Sequence, residues 1–176
     1  MRLWLKTMLT RAGVREMMKL DTRLAEITLR DVDKDNWEEC SNLKLSTKQG
    51  GLVAPHMYTI AESEAEPTFV PLAIYADGHV VGFTMYGLDP DDGKYWIYRL
   101  MIDVEHQGQG YGKAALVELI KRLSKLPDCD EIFAGYKPWN TVAAGLFGEL
   151  GFERTGEMLS GEFITRLDLK EKGYKS

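Results

Sequence analysis

The sequence predicts a mixed α/β domain built around one central sheet. Short apolar runs rich in β-branched and aromatic residues recur along the chain, and turn residues bound each run. Between them lie segments whose apolar residues repeat at helical spacing. The two kinds of segment follow one another as β-α-α-β-β-β-α-β-α-β-β, which is typical of a sheet covered by helices.

Seven runs are predicted to be strands. The second and third are separated by the sequence Ala76-Asp77-Gly78-His79, which favours a tight hairpin turn. The fourth follows the turn-forming sequence Pro90-Asp91-Asp92-Gly93. The predicted strands cover residues 26–32, 69–75, 80–86, 95–102, 131–136, 152–155 and 162–169.

Four helices are predicted, at residues 35–45, 56–64, 110–126 and 140–150. The first starts with Asp35 and has Glu38 three residues later, the spacing of a capping box. The third places Leu116, Leu119, Ile120 and Leu123 on one face. Gly151 follows the fourth helix, at the position where a glycine commonly ends a helix.

Length and composition describe an ordinary globular protein. With 176 residues, 44% of them hydrophobic, one domain with a substantial core is expected. The only two cysteines, Cys40 and Cys129, are far apart, which favours a reducing, cytoplasmic location. The three histidines are scattered, so no metal site is predicted. No apolar stretch approaches the roughly 18–20 residues that would span a membrane.

Charge is distributed unevenly along the chain. Residues 1–25 contain six basic and two acidic side chains, a net charge of +4. Because the whole chain carries −5, residues 26–176 carry −9. We therefore expect a basic N-terminal arm outside the fold at residues 1–25 and one domain at residues 26–176. The acidic domain argues against a nucleic-acid partner and suits a cationic substrate.

Residues 95–116 carry the strongest functional indication. The apolar predicted strand 95–102 is followed, after Asp103 and a short polar turn, by Gln107-Gly108-Gln109-Gly110-Tyr111-Gly112-Lys113 at the start of an amphipathic helix. The first N–H groups of a helix have no intrahelical acceptor and carry partial positive charge. A glycine-rich junction of this kind therefore favours binding of an anionic group, above all a phosphate.

Spacing separates three phosphate-binding motifs. The dinucleotide fingerprint requires G-x-G-x-x-G, whereas the third glycine here comes one residue early. The nucleotide P-loop requires Ser or Thr after its Gly-Lys pair, and here Ala114 follows Lys113. The pattern that fits is Q-x-x-G-x-G, formed by Gln107, Gly110 and Gly112.

This pattern resembles the loop that binds the acyl-CoA pyrophosphate in the GNAT superfamily of N-acetyltransferases. A second segment, N-x-x-A-x-x-L-F-x-x-x-G-F, is similar to another motif of that family and runs from Asn140 to Phe152. The predicted order of elements is also that of the family, from about residue 26 to residue 169. The runs NWEEC, VGFTMYG and RLMID further resemble bacterial diamine and spermine/spermidine acetyltransferases.

The resemblance implies a mostly antiparallel sheet of about seven strands. It further implies a splayed V between the fourth and fifth strands, helices on both faces, and acetyl-CoA as cofactor. By this resemblance, main-chain groups of the fourth strand bind the amides of the pantetheine arm, and the glycine loop binds the diphosphate. A residue at a later helix start and an aromatic ring make further contacts with the cofactor. The implied cofactor-binding residues are Leu100, Ile102, Gln107, Gly108, Gln109, Gly110, Tyr111, Gly112, Lys113, Asn140 and Phe147. Asn140 is equally well explained as a plain helix N-cap.

The implied catalytic residues depart from the family pattern. Phe147 occupies the position of the family's usual thiolate-protonating tyrosine, and Tyr98 occupies that of an acid found in some polyamine acetyltransferases. The hydroxyl of Tyr136 or Tyr98, or water, would have to replace the missing acid, unless positioning alone suffices. Glu38 or Glu39 is a candidate base acting through water, with a solvated surface role as the alternative.

The expected activity is direct transfer of an acetyl group to a primary amine, most plausibly a polyamine or another small amine. Candidate substrate-binding residues are Glu39, His56, Tyr86 and Arg99. Asp103 is expected either to pair with Arg99 or to cap a turn. A homodimer is expected from the family. The alternatives are a degenerate acyl-CoA-binding or sensing module, or an acetyltransferase acting on protein amines or an aminoglycoside.

Overall fold

The structure is a computed structural model that describes residues 26–44 and 66–175. The predicted arm at residues 1–25, the predicted helix at 56–64 and the candidate residue His56 lie outside these ranges. The chain divides into two compact units, of which the first comprises Leu24–Glu118 and the second includes Leu119–Ser176. Helix α2, Tyr111–Leu123, contains the residues at which the first unit ends and the second begins.

The first unit contains four strands, each paired antiparallel with the next along the chain. They are β1 (Ile27–Asp31), β2 (Phe69–Ala76), β3 (His79–Leu88) and β4 (Tyr95–Ile102). The predicted β2–β3 hairpin is confirmed. Its two turn residues, Asp77 and Gly78, have φ of 49° and 84°, as a two-residue turn between right-twisted strands requires.

Strand β4 contains a bulge. Met85 and Tyr86 of β3 pair with Arg99 and Ile97 of β4, so Tyr98 is an extra residue in the ladder. A bulge of this kind bends its strand and changes the direction of the side chain it carries. Tyr98, four residues before the strand ends, is therefore outside the regular alternation of β4 side chains between the two faces of the sheet.

Helix α1, Trp37–Ser41, is shorter than predicted, and its predicted capping box is wrong. Asn36 stands at the N-cap, but its side chain makes no capping hydrogen bond. The buried Asn36 amide instead donates to the carbonyl of Asp31 (3.0 Å) and accepts from the N–H of Asp33 (2.9 Å). The Asn36 side chain thus ties the start of the helix to the end of β1, five residues earlier, in place of capping the helix.

The second unit contains three strands and helix α3, Thr141–Glu149. Strand β7 (Glu162–Asp168) pairs antiparallel with both β5 (Glu131–Tyr136) and β6 (Glu153–Leu159). Strand β6 is longer than predicted because its turn comes at Ser160 and Gly161, with φ of 50° and 76°. Gly151, with φ of 91°, ends α3 as predicted.

The predicted core face of α2 is confirmed. Leu116, Leu119, Ile120 and Leu123 are all fully buried. In the first unit, Phe83, Ile74 and Leu72 are also fully buried. The predicted class, a mixed α/β fold with about seven mostly antiparallel strands, is confirmed for the described residues.

Candidate active site

The site begins at Asp103, directly after β4. Its Oδ1 accepts from the N–H of Glu105 (2.9 Å), which caps the 3₁₀ turn Val104–His106. Its Oδ2 accepts from the N–H of Lys44 (2.8 Å), and the N–H of Val104 donates to the carbonyl of Lys44 (2.8 Å). Of its two predicted roles, Asp103 therefore has that of a turn cap.

The surroundings of Asp103 also change its acidity. Burial acts to raise the pKa of the Asp103 carboxyl, but hydrogen bonds from the N–H groups of Lys44 and Glu105 outweigh it. The pKa of Asp103 is consequently lowered from its usual value. The carboxylate therefore stays ionised and fixed at the entrance to the glycine loop.

The loop at residues 107–112 has the conformation that its glycines allow. Gly108 and Gly110 have φ of 75° and 83°, in the left-handed region that favours glycine. The Gln107 side chain donates to the carbonyl of Ile102 (2.9 Å), so it fastens the loop to the end of β4. Gly112, in contrast, has the ordinary helical conformation of the first turn of α2.

Main-chain N–H groups at this helix start are available to a ligand. The first intrahelical bond of α2 runs from the N–H of Ala114 to the carbonyl of Gly110 (3.1 Å). Within the described ranges, the N–H groups of Gly110, Tyr111 and Gly112 donate no hydrogen bond. Donors without acceptors at a helix N-terminus fit a phosphate group. The residues present thus suit the diphosphate of a coenzyme A molecule.

The hydroxyl group of Tyr98, the bulge residue of β4, is engaged in a hydrogen bond with a carboxylate. The hydroxyl donates to Asp89 Oδ2 (2.7 Å), and the ring lies 4.4 Å from that of Phe69, centroid to centroid. Burial and the neighbouring Asp89 carboxylate raise the pKa of Tyr98 far above its usual value. Burial acts to raise the pKa of Asp89 too, but hydrogen bonds from Tyr98, Asp91 and Asp92 outweigh it and lower that pKa.

The second candidate hydroxyl group belongs to Tyr136, in the second unit. Its ring lies 6.2 Å from that of Phe147, at an interplanar angle of 20°, and 6.1 Å from that of Phe163. Among the described residues, the Tyr136 hydroxyl has no hydrogen-bond partner. Of the two candidate hydroxyl groups, that of Tyr136 is therefore the one with a proton not already engaged.

Asn140 is an N-cap, as one of its two interpretations expected. Its side chain accepts from the N–H of Ala143 (3.0 Å) at the start of α3. This bond uses one lone pair of the side-chain oxygen and leaves the amide donors of Asn140 available. The N-cap role is thus compatible with the proposed cofactor contact.

The remaining candidates occupy different environments. Glu38 and Glu39 are exposed on the short helix α1. Tyr86 is buried in β3, and Arg99 is half-buried in β4, where its guanidinium donates to the carbonyl of Tyr98 (2.8 Å). The predicted cofactor-strand residues Leu100 and Ile102 are half-buried and pack, with Tyr111, against a core cluster of the first unit.

Sequence reasoning missed two residues of the site. Asp89 directly precedes the predicted turn 90–93, where it accepts from the N–H of Asp91 (2.8 Å), and its other oxygen accepts from the hydroxyl of Tyr98 (2.7 Å). His106 lies beside the glycine loop, where the only sequence indication is its position one residue before Gln107. Within the described residues, no group of three or more His, Cys, Asp or Glu could hold a metal ion.

Comparison with known proteins identifies the family. Residues 29–152 match the model of the acetyltransferase (GNAT) family. The chain belongs to this family. Its acetyl donor is acetyl-CoA, so the predicted cofactor and the predicted N-acetyltransferase class are confirmed. None of the described helices of this acetyltransferase is long and apolar enough to cross a membrane.

The relatives of the acetyltransferase include enzymes with different acceptors. It is 30% identical over 145 residues to the spermine/spermidine N(1)-acetyltransferase of Bacillus subtilis, covering 78% of this chain and 95% of that protein. Its fold is similar to that of spermidine N-acetyltransferase from Vibrio cholerae, solved with CoA and spermine (TM-score 0.67, 13% identity, 83% and 97% of the chains). It is also similar to that of the aminoglycoside acetyltransferase AAC(6')-Ib, solved with paromomycin and acetyl-CoA (TM-score 0.70, 17% identity, 83% and 95%).

Proposed function

We propose that this acetyltransferase moves the acetyl group of acetyl-CoA directly to a primary amine of a polyamine or another small amine. The observation that carries the proposal is the loop after β4. There, Gly108 and Gly110 adopt left-handed conformations and the N–H groups at the start of α2 have no acceptor among the described residues. We assign these N–H groups to the diphosphate, with Lys113 contributing charge nearby and Asn140 as a further contact.

The chemistry makes two demands on the protein. The attacking amine must be neutral, and the departing thiolate must be stabilised or protonated. Acetyl-CoA, when bound, supplies an activated thioester. We assign the proton donor to Tyr136, because its hydroxyl is uncommitted and its ring stacks beside Phe147, where the family's usual tyrosine is missing. Glu38, exposed and solvated, remains the candidate base acting through water.

The net charge of the domain and its sequence similarity to a polyamine acetyltransferase support a polyamine acceptor. Residues 26–176 carry a net charge of −9, which attracts a polycation over long range. The relative from Bacillus subtilis, named a spermine/spermidine acetyltransferase, covers 78% of this chain. Glu39, Tyr86, Arg99 and His56 remain the candidate acceptor-binding residues.

A panel of amines tests the acceptor. Thiol release from acetyl-CoA should be fastest with spermine, spermidine or a diamine, and slower with an aminoglycoside and with a lysine-containing peptide. Faster turnover of the aminoglycoside would replace the polyamine assignment. An aminoglycoside is the main alternative acceptor because the fold is similar to that of the paromomycin complex. Faster turnover of the peptide would move the acceptor to protein amines.

One observation favours a second function. Because Phe147 has no proton to give, the domain could bind and sense acyl-CoA without turning it over. Calorimetric binding of acetyl-CoA with no thiol release for any amine would support that module. Absence of binding at high micromolar concentration would contradict both functions.

We further propose a cytoplasmic, homodimeric enzyme. Cys40 and Cys129 are both free and buried, and burial raises the pKa of their thiols to about 11 and about 12. Unpaired cysteines are typical of reducing compartments. The dimer rests on the family resemblance, and sedimentation analysis of the purified chain measures it directly.

A further inference from the structure

The imidazole of His106 has a buried nitrogen that the fold does not satisfy. Its Nδ1 is inaccessible to solvent and has no hydrogen-bond partner among the described residues, although the side chain as a whole is 36% exposed. Buried polar atoms in native proteins almost always have a partner. An unsatisfied nitrogen beside a ligand-binding loop therefore calls for an explanation.

The nearest charged group to this nitrogen is the Asp103 carboxylate. His106 Nδ1 lies 3.7 Å from Asp103 Oδ1, too far for a hydrogen bond but close for a charge interaction. Each Asp103 oxygen already accepts one main-chain N–H, from Glu105 and Lys44, so the carboxylate cannot turn freely. Each oxygen nevertheless keeps a lone pair for a further donor. A neutral imidazole with its Nδ1 lone pair towards this carboxylate is disfavoured, whereas a proton on Nδ1 would be stabilised.

The imidazole also lies beside the glycine loop. Its ring is 6.3 Å from that of Tyr111 in the first turn of α2, so the two rings stand at either end of the segment containing Gly108 and Gly110. Other charged side chains on the same turn and the adjoining segments include Glu105, Lys44, whose N–H binds Asp103, and Lys113 in the first turn of α2. Among the described residues, only the carboxylate of Asp103 has an oxygen within 4 Å of a ring nitrogen of His106.

We propose that His106 is a further cofactor-binding residue, whose imidazole takes up a proton when the diphosphate of coenzyme A binds to the loop. The inference rests on the proposed function of that loop. The proton comes from solvent and adds to the unprotonated nitrogen of a neutral imidazole, so no bond of the coenzyme is changed. The resulting imidazolium is held between the Asp103 carboxylate and the bound diphosphate.

The proposal predicts a specific dependence of affinity on pH. Where the imidazole already carries its proton, binding needs no uptake. Where it is neutral, binding must be accompanied by protonation, and affinity falls by up to about tenfold per pH unit until the charged form no longer contributes. Lower pH therefore favours the coenzyme complex.

Calorimetric titration of the full-length enzyme with dephospho-CoA tests this. That ligand retains the diphosphate but lacks the 3′-phosphate, whose own titration near pH 6 would add to the signal. At pH 7.5, heats measured in buffers of different ionisation enthalpy give the number of protons taken up. We expect a fraction of one proton for the wild type, none for His106→Gln, and the wild-type value for His79→Gln. His79 is exposed at the β2–β3 hairpin and serves as the matched control.

The outcomes separate the two proposals. Binding without proton uptake, or equal uptake by His106→Gln, overturns the role of His106 and leaves the diphosphate loop intact. Absence of binding by the wild type overturns the loop assignment itself. A second readout is the wild-type NMR signal of the His106 ring, whose titration should move to higher pH when dephospho-CoA is added. A titration unchanged by the ligand contradicts the proposal even if the variant does not fold.

Discussion

At the scale of single residues, the two candidate hydroxyl groups differ in what they bind. Tyr98 donates to Asp89, whereas the Tyr136 hydroxyl has no partner among the described residues. A proton engaged with a carboxylate is unavailable to a departing thiolate unless that hydrogen bond breaks. We therefore propose a structural role for Tyr98 and the role of proton donor for Tyr136.

We expect Tyr136→Phe to lower kcat by about 10²-fold, the contribution typical of a general acid, with KM for acetyl-CoA little changed. Tyr98→Phe should leave kcat within about threefold, because on this assignment its hydroxyl takes no part in the proton transfer. Steady-state kinetics on the two variants measures the difference. A large loss of kcat in Tyr98→Phe with normal activity in Tyr136→Phe would reverse the assignment.

The hydrogen bond between Tyr98 and Asp89 should instead contribute to the free energy of unfolding, and this contribution should depend on pH. Because the folded-state pKa of Asp89 is lowered, its contribution to the free energy of unfolding is present above about pH 4 and is lost as the pH falls further. Tyr98→Phe should thus cost about 1 kcal/mol at pH 7 and less at pH 3. Urea unfolding at both pH values measures this, and an equal cost at both would contradict it.

At the scale of elements, the glycine loop and the β3–β4 turn offer a matched comparison. Gly108 and Gly93 both have left-handed φ, 75° and 67°, and an added Cβ at either would meet no atom within 4 Å. The backbone cost of alanine is therefore alike at the two sites, about 1–2 kcal/mol. Only Gly108 belongs to the proposed diphosphate loop.

Gly108→Ala should raise KM for acetyl-CoA about tenfold, because the loop can no longer hold its conformation without strain. Gly93→Ala should lose similar stability and keep the wild-type KM. Thermal unfolding and steady-state kinetics on both variants check this. A KM raised equally in both would show that general destabilisation, rather than the loop, is responsible.

The elements also show what periodicity and turn chemistry can predict. Strands β4 and β5 have the predicted bounds, because each is a mostly apolar run that ends at turn residues. The predicted face of α2 is buried, because burial of one side of a helix imposes a regular spacing of apolar residues. Helix α1 has only five residues and gave a misleading capping pattern. So short an element is decided by the bonds of Asn36 to the end of β1, which sequence spacing does not reveal.

At the scale of the whole molecule, the hydrogen bonds of one lysine near the end of the chain contribute to the stability of the second unit. In the second unit the C-terminal Lys175 closes the turn after α2. Its ammonium group donates to the carbonyls of Leu126 (2.9 Å), Pro127 (2.9 Å) and Cys129 (3.0 Å), and its side chain is 16% exposed. A positive charge beyond a helix C-terminus is also favoured by the helix dipole.

Lys175→Met should lower the free energy of unfolding by about 1.5–3 kcal/mol, the value of hydrogen bonds from a charged group. Lys170→Met is the matched control, because among the described residues the Lys170 ammonium contacts only Asp130, in an exposed ion pair that should contribute little to stability. Urea unfolding of both variants measures this, with kcat expected to be unchanged. Equal stability of the two variants would contradict the role of Lys175.

The sequence by itself determined the family, the order of most elements and the loop after β4. These depend on residue types at fixed spacing, such as the glycines that permit left-handed backbone. Only the tertiary structure decided which side chains meet. The β4 bulge brings Tyr98 to Asp89, the ring of Phe147 stacks on Tyr136, and His106 faces Asp103. Such contacts depend on register and on chain segments distant in sequence, and a one-dimensional pattern contains neither.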